Sequence, residues 1–270
     1  MSELDVINKT QQPITKSQLK TLYTDLGIQA TDTVCVHTSL SSLGYVIGGA
    51  QTVLESLLET LSEGTLLMPS HSGDVSDPAY WENPPVPSSW LKTIRDTMPA
   101  FNPETTPTRG VGKVAQQFLS VEGVRRSYHP EASFAAIGKA AHTLTENHPL
   151  TPMLGIDSPL GRMHTMGGKV LMLGAPLKTM SALHVSEALS GVVKMESNGA
   201  PIIREGKRTW VDYEDYAYDD DDFETIAQTL VYEGILTKHT FHCANVYVGD
   251  IAAVITRGSA LVERLRTKKA

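Results

Sequence analysis

The sequence predicts an α/β fold: a mixed, partly parallel sheet flanked by helices, with an inserted antiparallel hairpin. Two observations carry this. Short apolar strands alternate with helical patterns through the first two thirds of the chain, as in parallel sheets built through helical crossovers. Further on, PIIREGKRTWV reads as two strands turning at Glu205-Gly206. At 270 residues the chain can bury a sizeable core without disulfides or metals. No internal repeat or low-complexity linker divides it, so one domain over residues 1–270 is expected.

Taken in order, Thr15 should cap a first helix that runs to Leu26 and ends at Gly27. TVCVH is a strand, followed by a Ser/Gly turn and a helix from Gly49 to Leu61; TLLMP is a second strand closed by Pro69. In SHSGDVSDPAYWENPPVP the prolines exclude regular structure, and a loop this long inside a compact domain is often functional. SSWLKTIRDTM is a short helix capped by Ser88 or Ser89, and GVGKVAQQFL another helix. SFAAIG is a strand, KAAHTLTEN a helix, KVLMLG a buried strand and SALHVSEALSG a helix. After the hairpin come the helix FETIAQTLVYEG, opened by Asp221 with Glu224 as its capping partner, a strand FHCANVYV and a C-terminal helix.

A net charge of −7 argues against a nucleic-acid groove, which needs clustered Lys and Arg. No apolar run reaches membrane-spanning length and the N-terminus has no signal pattern. Cys35 and Cys243 are the only cysteines, so a reducing, cytoplasmic setting fits. None of the histidines stands in H-E-x-x-H spacing and no C-x-x-C occurs, so no metal is expected. The lack of a G-x-S-x-G elbow puts a Ser-His-Asp hydrolase last among the enzyme readings.

Four stretches could carry chemistry. VHTSLSSLGYVIGGAQTV places small hydroxyls and glycines between a strand end and a helix start. A tight turn explains one or two of them, whereas a phosphate seat built from bare backbone N–H groups explains the run. TRGVGKVA resembles a dinucleotide fingerprint but lacks the preceding strand. Gly110 and Gly112 read instead as a loop-to-helix entry, near a phosphate through Thr108 and Arg109. In RRSYHPEASFAAIG, His129-Pro130 implies an extended or turn segment, and Arg125 and Arg126 fit a surface ion pair and a phosphate contact equally well. His184 lies just beyond a strand end, at a helix start that favours a neutral imidazole, with Glu187 three residues on to orient it. Finally DYEDYAYDDDD, residues 212 to 222, is a solvated loop in part, and an acidic rim able to gather a cation.

Together these motifs resemble the aminoglycoside 3-N-acetyltransferase family, the antibiotic N-acetyltransferases outside the GNAT superfamily. The resemblance runs from about Thr15 to Gly258 through VHTSLSSLG with GGAQTV, PTRGVGKVAQQF, RRSYHPEASFAAIG, SPLGRMHTMGGKVLMLGAPL and LHVSEA, and is strongest to chromosomal Gram-positive members. It implies an antibiotic N-acetyltransferase-like fold, acetyl-CoA as co-substrate and a cationic aminoglycoside as acceptor, with the chain a monomer or homodimer. By resemblance, Ser39, Leu40, Ser41, Ser42 and Gly44 line the acetyl-CoA site, helped by Thr108, Arg109, Ser133 and Phe134. His184 and Glu187 are catalytic, with direct transfer to the amine and His184 as general base. Asp74, Asp77, Asp212 and Glu214 hold the ammonium groups. Lys178 departs from the short polar residue of many resistance enzymes. The alternatives are acetylation of another metabolite amine, and a non-catalytic protein that binds CoA or a cation.

Overall fold

The computed structural model describes residues 2–267, so the extreme ends of the expected 1–270 domain lie outside it. In chain order the elements are α1 (Glu3–Lys9), α2 (Lys16–Asp25), β1 (Thr33–Thr38), α3 (Leu40–Leu43), α4 (Gly49–Thr60), β2 (Thr65–Pro69), α5 (Leu91–Thr97) and α6 (Gly112–Phe118). There follow β3 (Arg125–Arg126), β4 (Phe134–Gly138), α7 (Ala141–Thr145), α8 (Pro159–Met166), β5 (Lys169–Leu173) and α9 (Ala182–Ser190). The chain closes with β6 (Met195–Arg204), β7 (Lys207–Tyr216), α10 (Phe223–Tyr232), β8 (Leu236–Phe241), β9 (Ala244–Asp250) and α11 (Ile251–Thr267).

Strands β3-β4-β2-β1-β5-β9-β8 form one sheet, in that order, and β6-β7 form a separate hairpin. The centre is parallel: β1 pairs with β2 on one side and β5 on the other. The flanking pairs β2–β4, β5–β9 and β8–β9 are antiparallel. Alternate side chains of the central strands feed two cores. Val34, Val36, Leu66, Met68, Leu171 and Leu173 pack with α2, α4 and α6. Cys35, Leu67, Val170 and Met172 pack with α8, α9, α10 and α11 on the other face. β1 lies between parallel neighbours reached by separate crossovers, β2 after α4 and β5 after α8, and a crevice opens beyond its carboxyl end, where open α/β sheets bind ligands.

Several expectations change in detail. Thr15 does cap α2, in a reciprocal capping box with Gln18. The Ser39–Gly44 turn contains one helical turn, α3. Ser88 and Ser89 cap nothing by side chain: they enter a 3₁₀ turn, Ser88–Trp90, that runs into α5. Nor does Asp221 open α10; Asp222 stands at its N-cap without a side-chain cap bond, because its carboxylate is turned toward Arg266. FHCANVYV is not one strand. It turns at His242, whose φ is 49°, so that Phe241 and Ala244 pair across the corner of β8 and β9. The hairpin turns at Glu205-Gly206 as expected, both at positive φ, but β7 extends to Tyr216 and takes in half of the acidic run. Helix α8, capped by Ser158 with Pro159 in its first turn, was not foreseen.

Candidate active site

A cavity of about 710 Å³ opens beyond the carboxyl ends of β1, β2 and β5. Thr38 to Ser41, then Met68, Pro69 and His71, then Ala175, Pro176, Thr179 and Ser181, and the entry to α6 contribute to its wall. Two glycines of the hydroxyl and glycine run are required by the backbone and by close neighbours. At Gly44, φ is 114° and a Cβ would stand 2.9 Å from Thr10 Oγ1; at Gly48, φ is 78° and a Cβ would come within 2.4 Å of Thr52 Oγ1. Any other residue would be strained and obstructed there. Ser39, Leu40, Ser41 and Gly44 line the cavity, while Ser42 lies behind, its hydroxyl 2.7 Å from that of Ser39. The Thr38 hydroxyl is buried in this wall with no partner among the described residues, a polar atom left for a ligand.

Thr108, Arg109, Ser133 and Phe134 do not line this cavity. The Arg109 side chain forms an ion pair with Asp74 and donates to the carbonyl of Asn83 at 3.1 Å. Ser133 is fully buried and donates to the carbonyl of Ser70 at 2.8 Å. Phe134 lies beneath, its ring edge-on to His71 at 5.1 Å. Arg126 is neither a surface ion pair nor a free cation. It donates to Ser133 Oγ at 3.0 Å and to the Ser70 carbonyl at 2.7 Å, and sits over Phe101 at 4.9 Å. Burial brings its guanidinium down to about 10.

His184 lies in the first turn of α9, which starts directly after Ser181. Its Nδ1 is 2.5 Å from Glu187 Oε2, and Glu187 is completely buried. Its Nε2 makes no hydrogen bond among the described residues. The ring is packed against Phe223 at 4.6 Å and edge-on to Tyr218 at 5.4 Å, which fixes its plane. Ser181, one turn earlier, reaches the cavity wall. His37 and His71 were not singled out in the sequence, yet both line the cavity. His71 Nε2 is 3.4 Å from Ser181 Oγ. Burial, with the imidazole of His184 nearby, lowers His37 to about 4. Burial and then the His37 and His184 rings lower His71 to about 3. The site therefore holds neutral imidazoles around a hydroxyl.

The four expected substrate acids divide. Asp77 is committed: Arg95 grips it with contacts of 2.8 to 3.0 Å, and it caps Ala79 N. Asp74 is occupied by Arg109. Asp212 and Glu214 are exposed on β7, Asp212 accepting from Trp210 Nε1 at 2.9 Å. The residues between them point the other way, as strand geometry requires. Tyr213 donates to Glu131 at 2.6 Å, and Asn198 adds a second bond to Glu131 at 2.9 Å. Asp215, also buried, accepts from Met153 N at 2.8 Å. Burial pushes Glu131 up to about 7 and Asp215 up to about 6. No helix among the described residues is long and apolar enough to cross a membrane.

Residues 35–263 match the family model described as aminoglycoside 3-N-acetyltransferase. The chain belongs to this family. It is 40% identical to YokD, an aminoglycoside N(3')-acetyltransferase-like protein of Bacillus subtilis, over 96% of this chain and 92% of the relative. It is 34% identical to aminoglycoside N(3)-acetyltransferase IX of Micromonospora chalcea, covering 94% and 95%. The YokD crystal structure superposes with a TM-score of 0.95 over 98% of this chain and 99% of that one, at 36% identity. Two further family structures hold ligands: AAC-IIIb with CoASH (TM-score 0.79, 26% identity, 94% and 97% covered) and AAC-VIa with sisomicin (0.82, 29%, 94% and 98%).

Proposed function

We propose that the protein transfers the acetyl group of acetyl-CoA directly to the 3-amino group of a 2-deoxystreptamine aminoglycoside, with His184 as general base. The observation that carries this reading is the His184–Glu187 pair, with one imidazole nitrogen free, beside a cavity walled by hydroxyls and backbone. Membership of the family gives the reaction class, and the CoASH and sisomicin complexes of related proteins support the two ligand classes.

Acetyl-CoA would supply an electrophilic thioester carbonyl. Ser39, Ser41 and Gly44 would hold its pantetheine and phosphates, with Leu40 as apolar wall and Ser42 bracing Ser39. Thr108, Arg109, Ser133 and Phe134 support this site from outside or below. Asp212 and Glu214 are the acids free to hold ammonium groups, while Asp74 and Asp77 stabilise the loop between β2 and α5. Glu187 orients the His184 ring through Nδ1, so that Nε2 takes the proton from the acceptor amine. The amine nitrogen then bonds to the thioester carbon as the carbon–sulfur bond breaks, and the departing sulfur takes the proton held on His184 Nε2 and leaves as thiol. Ser181 stands next to His71 and is the hydroxyl placed to face the developing oxyanion. A relay through Cys35 is disfavoured, since burial pushes its thiol up to about 12 and only a thiolate is a competent nucleophile.

The test is release of coenzyme A thiol from acetyl-CoA with a panel of aminoglycosides, with the product's acetylated nitrogen located by NMR. A 3-N-acetyl product from wild type and a roughly 10²–10⁴-fold lower kcat in His184→Ala are expected. Silence across the panel would overturn the acceptor, and undiminished turnover in the variant would overturn the base.

A further inference from the structure

The oxygen of Glu187 turned away from His184 is occupied by a residue almost eighty positions later in the chain. Glu187 Oε1 accepts from Arg266 Nη1 at 2.6 Å and from the backbone N–H of Asp219 at 3.0 Å. Arg266 stands in the last turn of α11. Its other donors are committed: Nε and Nη2 to the two oxygens of Asp222 at 3.0 and 2.8 Å, and Nη2 also to the carbonyl of Asp219 at 2.8 Å. Helix α11 is brought here by close contact with α9. A Cβ at Gly258 would lie 2.5 Å from Ser186 Oγ, and that hydroxyl donates to the Ile255 carbonyl at 3.0 Å. About two helical turns separate this crossing from Arg266.

The energetics call for such a partner. A fully buried carboxylate is costly unless a cation and hydrogen bonds compensate it. Arg266 supplies that cation. Its side chain is only 18% exposed, and the hydrogen bonds it donates, first to Asp222 and then to Glu187, push it further above its ordinary range, so its charge is permanent. Its planar fork bridges Glu187 and Asp222 at once, which a lysine ammonium does less well.

We propose that Arg266 is a positioning residue for acyl transfer, tying the end of the C-terminal helix to Glu187 so that the carboxylate stays aimed at His184 Nδ1. This rests on the reading of His184 as the base. Loss of the tie should release the Glu187 carboxylate and then the ring, with little effect on either substrate's seat. Misplacement of a catalytic group by about 1 Å can cost 10²-fold.

The experiment combines kcat and KM from thiol release with the proton NMR signal of the His184–Glu187 hydrogen bond, assigned by its loss in Glu187→Gln. Arg266→Gln, Arg266→Lys and the double variant Glu187→Gln/Arg266→Gln are compared with wild type. Arg266→Gln is expected to lower kcat about ten- to hundred-fold with both KM values within about two-fold, and to shift or abolish the proton signal. Arg266→Lys should recover part of the rate. In the Glu187→Gln background, Arg266→Gln should remove nothing further. An unchanged kcat and signal in Arg266→Gln, or a loss of the same size in both backgrounds, would overturn the proposal. If wild type acetylates no amine offered, acetyl transfer fails as the reading, and the proton signal in Arg266→Gln still decides for or against the tie. If Arg266→Gln does not fold, Arg266→Lys carries the same cycle. A loss that vanishes without Glu187 supports the tie; equal losses in both backgrounds, or none in either, overturn it.

Discussion

Two histidine sites in this molecule are built from the same materials and do opposite things. Under β4, His129 donates from Nε2 to the Leu150 carbonyl at 3.1 Å and accepts at Nδ1 from the backbone N–H groups of Glu131 and Ala132 at 3.1 and 2.9 Å. His148 stacks on it at 4.8 Å, donating to the Met153 carbonyl and accepting from Ser127. Both rings have every nitrogen satisfied by the chain, so their chemistry is spent on holding the loop before β4. Past β5, His184 satisfies one nitrogen with Glu187 and leaves the other unpaired. A histidine is available for catalysis when the fold orients it through one nitrogen and withholds a partner from the other.

The comparison can be broken from the structural side first. His129→Ala would strand two buried N–H donors and a carbonyl, and should cost about 2–4 kcal/mol of stability in denaturant unfolding, with kcat of the surviving folded protein little changed. A large kcat loss without a stability loss would place His129 in the chemistry.

Acid is expected to attack the same site. Burial holds His129 at about 4, against an ordinary value near 6.5. Between these values the unfolded chain binds a proton that the native chain refuses, so stability falls as pH drops from about 6.5 through about 4. At ~1.4 kcal/mol per pH unit the gap is worth roughly 3 kcal/mol from this residue, with His148 adding in the same direction. Unfolding free energies of wild type and His129→Ala measured from pH 7 to pH 4 check this: the variant should lose this part of the slope, and parallel profiles would contradict it.

Glu131 should tilt the profile the other way. Its carboxyl, raised to about 7 by burial, keeps a proton that the unfolded chain has lost. Its contribution is therefore full below about 4.5 and declines as pH rises through 7. Glu131→Gln should steepen the rise of stability over that interval by removing the opposing contribution, and an unaltered slope would remove Glu131 as its source. The smallest effect belongs to the exposed rim: Asp212→Asn and Glu214→Gln should each raise KM for the amine about two- to five-fold at low salt, the size of a solvated ion pair. An unchanged KM in the double variant would move ammonium recognition elsewhere.

Much of this was legible in the sequence, for identifiable reasons. The alternation of strands and helices gave the sheet, and the run from Ser39 to Gly44 marked one wall of the cavity. His184 and Glu187 were readable because three residues on a helix is a fixed distance. The acids of the hairpin divide between its two faces. Asp212 and Glu214 carry the charge of the run outward, while Tyr213 and Asp215 take the buried face, and a strand's period of two gives no sign of which face is which until it is docked. Ser133 and Phe134 belong to a motif close to the cavity in space, but their atoms are used by Ser70, Arg126 and His71. His71 and Arg266 left no local signal at all, since each acquires its partner across more than seventy residues of chain.

The most direct test of the contrast is to measure kcat and unfolding free energy together on His184→Ala and His129→Ala in one buffer. The expected pattern is crossed: His184→Ala loses turnover by orders of magnitude and keeps most of its stability, while His129→Ala loses stability and keeps its turnover. Parallel losses in the two variants, or the reverse crossing, would contradict the assignment of His184 as the base and His129 as part of the frame.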